Sequence, residues 1–358
     1  MEKTISINKK DLKVALSEVK SFVEKKNTMP ILSHILINVF ATTCEIVGTD
    51  LEVAFKAHVP CRNDRDITVK ICVPCVMLYQ AVQGIKTPDI TITFQENAVL
   101  INETFKIMTL PASDFPAWPE LKGDVKTATI PGFLEKLSRV FVAAGESDTR
   151  YTLNTVCLDF ENGFIAGSDG NRLHYEDIPV KEGYGIVMIP RNTVNKMIKN
   201  TTKDTISFSE RHLTARVSGG QILTRVIEGN YPHIENIIEN EKDTTVRVLI
   251  AKSELVDTLK SASLLSKSRA NGVTLTVNGG LVIKSSNPDA GEFLAKIACK
   301  RDDGKHEDIT IGINARYLLE GIAAYSTADV VLDIQADIEN IPHPMFVNGH
   351  GIVMPLRV

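Results

Sequence analysis

The amino-acid sequence predicts an α+β fold made of three repeated two-layer domains, each with helices on one face of an antiparallel sheet. Three observations predict it. An amphipathic helical pattern occurs three times, beginning at Ile7, Ile130 and Ile250, 123 and 120 residues apart. Each copy is followed by alternating apolar runs that close on a polar turn. The 358 residues also divide into three segments near the commonest domain size of ~100–150 residues. A period this long marks a domain rather than a solenoid unit of ~20–50 residues.

The clearest copy of the first helix is Ile130–Glu146. Phe133, Leu134, Leu137, Val140, Phe141 and Ala144 recur at helical spacing, with Glu135, Lys136, Ser138 and Arg139 on the other side. Ile7–Val23 carries Leu12, Ala15, Leu16, Val19, Phe22 and Val23 in the same phase, and Ile250–Ser266 carries Leu255, Val256, Leu259, Ala262 and Leu265. Two strands and a turn follow each helix. They are Ile35–Val39 and Glu45–Gly48 before Thr49-Asp50-Leu51, Val156–Phe160 and Phe164–Gly167 before Ser168-Asp169-Gly170, and Val273–Val277 and Leu281–Lys284 before Ser286-Asn287-Pro288. Strict alternation implies one buried and one wetted face, and Asp, Asn, Gly and Pro supply the turns. A further strand follows (Val53–Val59, His174–Val180, Phe293–Cys299), then a shorter helix (Val76–Ile85, Thr193–Lys199, Ala315–Tyr325) entered through Pro74, Pro190 or Asn314. Final strands close each repeat. The expected domains are residues 1–122, 123–244 and 245–358, with boundaries in the polar stretches 121–127 and 240–245.

Composition narrows the function classes. An apolar fraction of 43% without low-complexity tracts fits a globular protein. No apolar run approaches the ~20 residues that span a bilayer, so no membrane partner is expected. The start, MEKTISINKKD, lacks the apolar core of a signal peptide, which implies a cytoplasmic protein. Six cysteines in a chain this long are not a disulfide framework. Cys72 and Cys75 form a C-x-x-C, but no second ligand pair stands at zinc spacing, so no metal and no cofactor are expected.

Catalysis finds little to work with. Ser168 and His174 lie in the most polar turn, yet no G-x-S-x-G surrounds the serine. Gly219-Gly220 and Gly279-Gly280 read as hairpin turns and belong to no phosphate-binding motif. The eight histidines show no metal-ligand spacing. The net charge of −4 argues mildly against a nucleic-acid binder, but distribution matters more than the sum. Basic residues recur on the polar faces of the helices: Lys9, Lys10, Lys13, Lys20, Lys136, Arg139, Lys196, Lys199, Lys252, Lys260 and Arg316. Singly they read as solvated faces. Aligned on one side of three stacked domains, they would line a positive surface able to hold a phosphate backbone without reading bases.

Seven local phrases add a resemblance. Thr28-Met29-Pro30-Ile31-Leu32, Gly48-Thr49-Asp50-Leu51-Glu52, Thr109-Leu110-Pro111-Ala112-Ser113-Asp114-Phe115-Pro116 and Arg150-Tyr151-Thr152-Leu153-Asn154 are four of them. The others are Ser168-Asp169-Gly170-Asn171-Arg172-Leu173, Glu228-Gly229-Asn230-Tyr231-Pro232 and Val353-Met354-Pro355-Leu356-Arg357. With the threefold repeat, they make the chain resemble, end to end, the bacterial DNA sliding clamp family, the beta subunit of DNA polymerase III. The resemblance implies a ring-forming clamp fold without enzymatic activity. Two chains would join head to tail as a homodimer, encircle duplex DNA independently of sequence, be opened by a clamp loader, and tether the replicative polymerase alpha subunit and other proteins through short peptides.

By position, the resemblance implies a peptide-binding pocket walled by Leu153, Leu173, Pro232, Ile237, Val353, Met354 and Leu356 and rimmed by Gly170, Asn171, Arg172 and Pro355. It implies that Lys26, Arg150 and Tyr151, with the helix cations Lys136, Arg139, Lys196 and Lys199, face DNA, and that Leu264 and Leu265 lie at the dimer interface. Asn171 replaces a family histidine, Thr152 a common aromatic and Ala270 a flap aromatic, so the preferred peptide is expected to differ. Charged partners around residues 102–105 and 291–296 are mostly replaced, leaving Glu103, Glu292 and Lys296. A protein-interaction scaffold that no longer loads on DNA is the alternative reading, and an enzyme with an unrecognised site the third.

Overall fold

The computed structural model describes residues 3–24, 29–63, 66–239, 246–266, 272–302, 308–334 and 343–356. It contains seven α-helices among the described residues: α1 (Lys9–Val19), α2 (Cys75–Gly84), α3 (Phe133–Phe141), α4 (Arg191–Lys199), the short α5 (Glu235–Glu239), α6 (Lys252–Leu264) and α7 (Ala315–Ala323). All six longer helices fall where the periodicity predicts them. A strand precedes the first helix of each repeat: Lys3–Asn8, Lys126–Thr129 and Val246–Ala251. In the second the turn at Pro131-Gly132 delays the helix, and in the first and third the strand takes up the start of the apolar pattern. Ile5 and Ile7, or Val246, Val248 and Ile250, alternate into the core there before the period lengthens to that of a helix. Asn8 caps α1 by accepting from the Lys10 N–H, and Asn314 caps α7 by accepting from those of Arg316 and Tyr317.

The chain forms two compact units. The first comprises Met1–Leu134 and Asn192–Val226. It holds a four-stranded antiparallel sheet (Lys3–Asn8, Asp89–Phe94, Ala98–Ile101, Phe105–Met108, in that order) and a nine-stranded one. In the larger sheet the first repeat supplies His34–Val39, Thr43–Thr49, Val53–Pro60, Val69–Pro74 and the short Leu110–Pro111, and the second supplies Lys126–Thr129, Thr205–Phe208, His212–Val217 and Gly220–Arg225. The two sets meet where Gly220–Arg225 pairs antiparallel with Val53–Pro60, Ile222 opposite Phe55.

The second unit comprises Glu135–Arg191 and Ile227–Val358. Its nine-stranded sheet joins Ile186–Pro190, Thr155–Asp159, Phe164–Ser168 and Arg172–Asp177 of the second repeat to Gly351–Val353, Met345–Val347, Asp329–Ile334, Val246–Ala251 and the short Lys300–Arg301 of the third. Arg172 lies opposite Val353 at the join. A four-stranded sheet follows the order Gly291–Ile297, Leu281–Asn287, Gly272–Val277, Ile309–Asn314. The prediction of antiparallel sheet with helices against it holds. What the alternation could not reveal is that each large sheet is shared between consecutive repeats.

Two devices recur. A basic side chain from the start of one helix caps the end of its neighbour: Lys9 donates to Ile85 O, Lys252 to Tyr325 O, and Arg191 to Phe141 O at 2.6 Å and also to Ala144 O. Each cation meets carbonyls that the helix leaves unsatisfied. Small residues also let sheet and helix approach. A Cβ on Gly167 would lie 2.3 Å from Val140 O, and one on Gly48 would lie 2.8 Å from the Val19 side chain.

Candidate functional site

The predicted groove gathers in the second unit around the turn 168–172. Ser168 Oγ donates to Arg172 O at 2.7 Å and accepts the Gly170 N–H, while Asp169 accepts the N–H groups of Asn171 and Arg172. Gly170 has φ +82°, a conformation that glycine adopts without strain. The turn therefore explains Ser168 structurally. His174 is held elsewhere, its Nδ1 3.0 Å from Arg139 O, and complete burial lowers its pKa to about 4. The two side chains are engaged separately rather than as a nucleophile and base.

Behind the turn, Leu153 and Leu173 are buried in one apolar cluster with Tyr175, Tyr231, Ile234 and Ile352, and half-buried Ile237 packs against it. Pro232 stands exposed beside Tyr231. The C-terminal strand reaches the same place, where the Met354 N–H donates to Asn171 O at 2.9 Å. Met354 is 38% exposed, and Pro355 and Leu356 are half-buried. The structure thus assembles an apolar floor with an adaptable Met and Leu at its edge and exposed Gly170 and Asn171 beside it.

Two expected members sit differently. Val353 is fully buried and turned into the core of the third repeat with Met345 and Val347, so its side chain is core and only its backbone borders the groove. This follows from strand alternation, which sends Val353 and Met354 to opposite faces. Arg172 is also buried. Its guanidinium pairs with Asp169 (3.1 Å) and Glu320 and lies 4.3 Å over the Tyr317 ring, so it braces the turn more than it lines a rim. Tyr231 stands in the sequence only as part of the phrase 228–232, and Ile234, Tyr317 and Glu320 carry no mark there. Their signals, an apolar pair at helical spacing and an i, i+3 Tyr–Glu on a helix face, are too common to mark a site.

The expected nucleic-acid face is less cationic than its sequence. Lys136 donates to Asp177 O at 2.8 Å and lies 3.8 Å from Glu176; Arg139 is paired with both Glu135 and Glu176. Lys196 is bound to Asp50 at 2.8 Å. These three cations are offset by neighbouring carboxylates. Lys199 is exposed. Arg150 lies along Gly170, is clamped by Asp148 at 2.9 Å and donates to Asp169 O at 3.1 Å. Hydrogen bonds from the Arg150 side chain, then from its backbone N–H, hold the Asp148 carboxyl down to about 2. Tyr151 beside it is exposed, its hydroxyl against Gly229. Lys26 and Ala270 lie outside the described residues.

At the expected joint, Leu264 ends α6 with 84% of its surface exposed, and Leu265 is half-buried. Cys72 and Cys75 are fully buried, and burial pushes both thiols up to about 12. Among the described residues no three His, Cys, Asp or Glu side chains group as a metal site.

Comparison with known proteins matches this arrangement. Residues 3–119, 131–233 and 238–341 match, in order, the N-terminal, central and C-terminal domains of the DNA polymerase III beta subunit. The beta sliding clamp of Pseudomonas aeruginosa is 25% identical over 341 residues, 91% of each chain. Among solved structures, the crystal structure of the DNA polymerase III subunit beta from Pseudomonas aeruginosa superposes with a TM-score of 0.88 at 23% identity, covering 99% of this chain and 100% of that one. A sliding clamp from the same organism, bound to griselimycin, gives 0.86 at 24% identity with both chains fully covered. With three consecutive domain families of one protein matched in order along nearly its whole length, the chain belongs to the DNA polymerase III beta subunit family, the beta sliding clamps, which are non-catalytic processivity factors of DNA replication.

Proposed function

We propose that two copies of this chain join head to tail in a ring that encircles duplex DNA, slides along it and tethers its partners. The observation that carries the proposal is the pairing of the sheets. Each nine-stranded sheet combines part of one repeat with the complementary part of the next. The first and third repeats each keep a part over, as four-stranded sheets edged by Phe105–Met108 and Gly291–Ile297. Phe105, Met108 and Leu294 on these edges are exposed, as is Leu264. An exposed strand edge with apolar side chains invites pairing, and unlike edges on two copies give a head-to-tail joint that can close.

Clamp domains spanning residues 1–122, 123–244 and 245–358 are part of the same reading. The groove at Leu153, Leu173, Ile237, Met354 and Leu356 would take an extended peptide with apolar anchors, from the replicative polymerase alpha subunit and other clamp-binding proteins. A clamp loader would open the ring, and the protein would work in the cytoplasm. DNA would meet Lys199, Arg150 and Tyr151, with Lys136, Arg139 and Lys196 partly offset by their carboxylates. A topological link needs no tight contact, so this modest lining suffices. Those same ion pairs favour the second reading, an interaction scaffold that does not load on DNA.

One experiment separates them. The protein is loaded by a cognate loader onto a nicked circular plasmid, which is then linearised, and release is followed by gel filtration. Retention on the circle with loss after cutting is expected. Equal release from both forms would overturn the encircling ring, and failure to associate would favour the scaffold.

A further inference from the structure

The turn that frames the groove of the second unit has a counterpart in the first. Thr49 Oγ1 bonds Val53 O at 3.2 Å and accepts the Leu51 N–H, and Asp50 accepts the N–H groups of Glu52 and Val53. These repeat, 119 residues earlier, the bonds of Ser168, Asp169 and Arg172. The Arg225 N–H donates to Glu52 O at 3.0 Å, as the Met354 N–H does to Asn171 O. Asp114-Phe115-Pro116 stands where Asn230-Tyr231-Pro232 stands in the second repeat. The same frame therefore surrounds a second cleft, of about 120 Å³, lined by Leu51, Phe115, Pro116, Trp118, Leu223 and Arg225.

Three features set this cleft apart from a mere echo of the fold. Leu51 has φ +77° and remains 43% exposed at the rim, where its counterpart is Gly170. A leucine in the left-handed region is strained, and an exposed one gains little burial in return. Arg225 beside it is 60% exposed, and its contact with the equally exposed Glu52 is long, 3.9 Å. Such an exposed, long pair contributes little and yields readily to a better carboxylate. The cleft is also far below the ~300–1,000 Å³ of a site for a whole small molecule. Its size suits one anchor side chain of an extended chain.

We infer that this cleft is a second peptide-docking site, which takes an extended segment of a partner protein with a leucine or phenylalanine anchor preceded by an acidic residue. The anchor enters between Leu51, Phe115 and Trp118, and the acidic residue meets Arg225. The kind of ligand rests on the peptide reading of the first groove; the site itself does not.

Trp118 is the only tryptophan of the chain, so its fluorescence reports this cleft alone. The probe is acetyl-Gly-Asp-Leu-Phe-Gly-amide, titrated into the full-length protein, with a fluorescein-labelled copy for anisotropy. A saturable change in Trp118 emission is expected, about tenfold weaker in Leu51→Asp. Replacing the aspartate of the probe by asparagine should weaken binding to the wild type but not to Arg225→Gln. Leu51 is at the surface and aspartate tolerates positive φ, so the variant should fold, which circular dichroism checks. Met354→Ala should remove one of two anisotropy sites and leave the Trp118 signal unchanged. A Met354-dependent site with silent Trp118 up to millimolar probe overturns the second cleft and leaves the first groove standing. A Trp118 response with no effect of Met354→Ala supports the second cleft and defeats the first.

Discussion

Individual side chains decide how far sequence patterns can be trusted. His174 stands in the most polar turn of the sequence without a catalytic motif around it, and in the structure it is a buried, neutral core group. Burial favours its uncharged form, so its pKa falls from the usual 6.5 to about 4. Between these values the unfolded chain binds a proton that the folded chain does not, and stability must fall as pH drops from about 6.5 towards 4. The loss should reach about 3 kcal/mol. Urea unfolding at pH 7 and 4.5 should show it, and His174→Gln should flatten that pH dependence; an equally steep variant would shift the cause to other groups. At the groove, Met354→Ala with Leu356→Ala removes the two adaptable edge contacts. Peptide affinity by anisotropy should fall about tenfold or more while light scattering still reports the same oligomer. The sequence made Met354 and Val353 look equivalent members of one apolar phrase. Only the register against Arg172 separates them, and register is a tertiary property.

Elements were legible where one period dominated and obscure where two met. Phe133, Leu137 and Val140 give a clean helical stripe, and α3 lies within the stretch they predict. The strands before α1 and α6 were hidden because their last apolar residues continue into the helical phase: Ile7 and Ile250 serve both patterns. The partners of the helix cations were hidden for a related reason. Lys136, Arg139 and Lys196 fall on polar faces, but Glu176 and Asp50 come from elements remote in sequence. Close approach of elements also carries a prediction. An alanine at Gly167 would drive its methyl group into Val140 O and Ala144 N, backbone that cannot turn aside. Gly167→Ala should destabilise by about 1–3 kcal/mol in urea unfolding. Gly48→Ala presses first on a movable Val19 side chain and should cost less, and an equal loss would refute the distinction.

For the whole molecule, the threefold repeat was plain in the sequence, and so was the α+β class. The sharing of strands between repeats was not, since alternation tells which face of a strand is buried and never which strand lies beside it. The consequence for assembly is testable. Leu264 is far more exposed than a leucine gains by being, and burying it at a joint would contribute about 2 kcal/mol per copy. Leu264→Asp with Leu265→Asp should give monomers in light scattering, because a charge would be left unpaired in an apolar contact. A persisting dimer would move the joint elsewhere.

The divided sheets bear on how such a chain could be cut or lengthened. Each repeat behaves like a domino with unlike ends: a row of any length always leaves one end of each kind. Excising a single repeat would strip it of both neighbours, so the sequence period is not the unit that survives alone. Adding or removing whole repeats, by contrast, changes the row without changing its ends, and the same closing contact would serve. If two copies join through these ends, the contact between chains need be no different in kind from the one inside a chain.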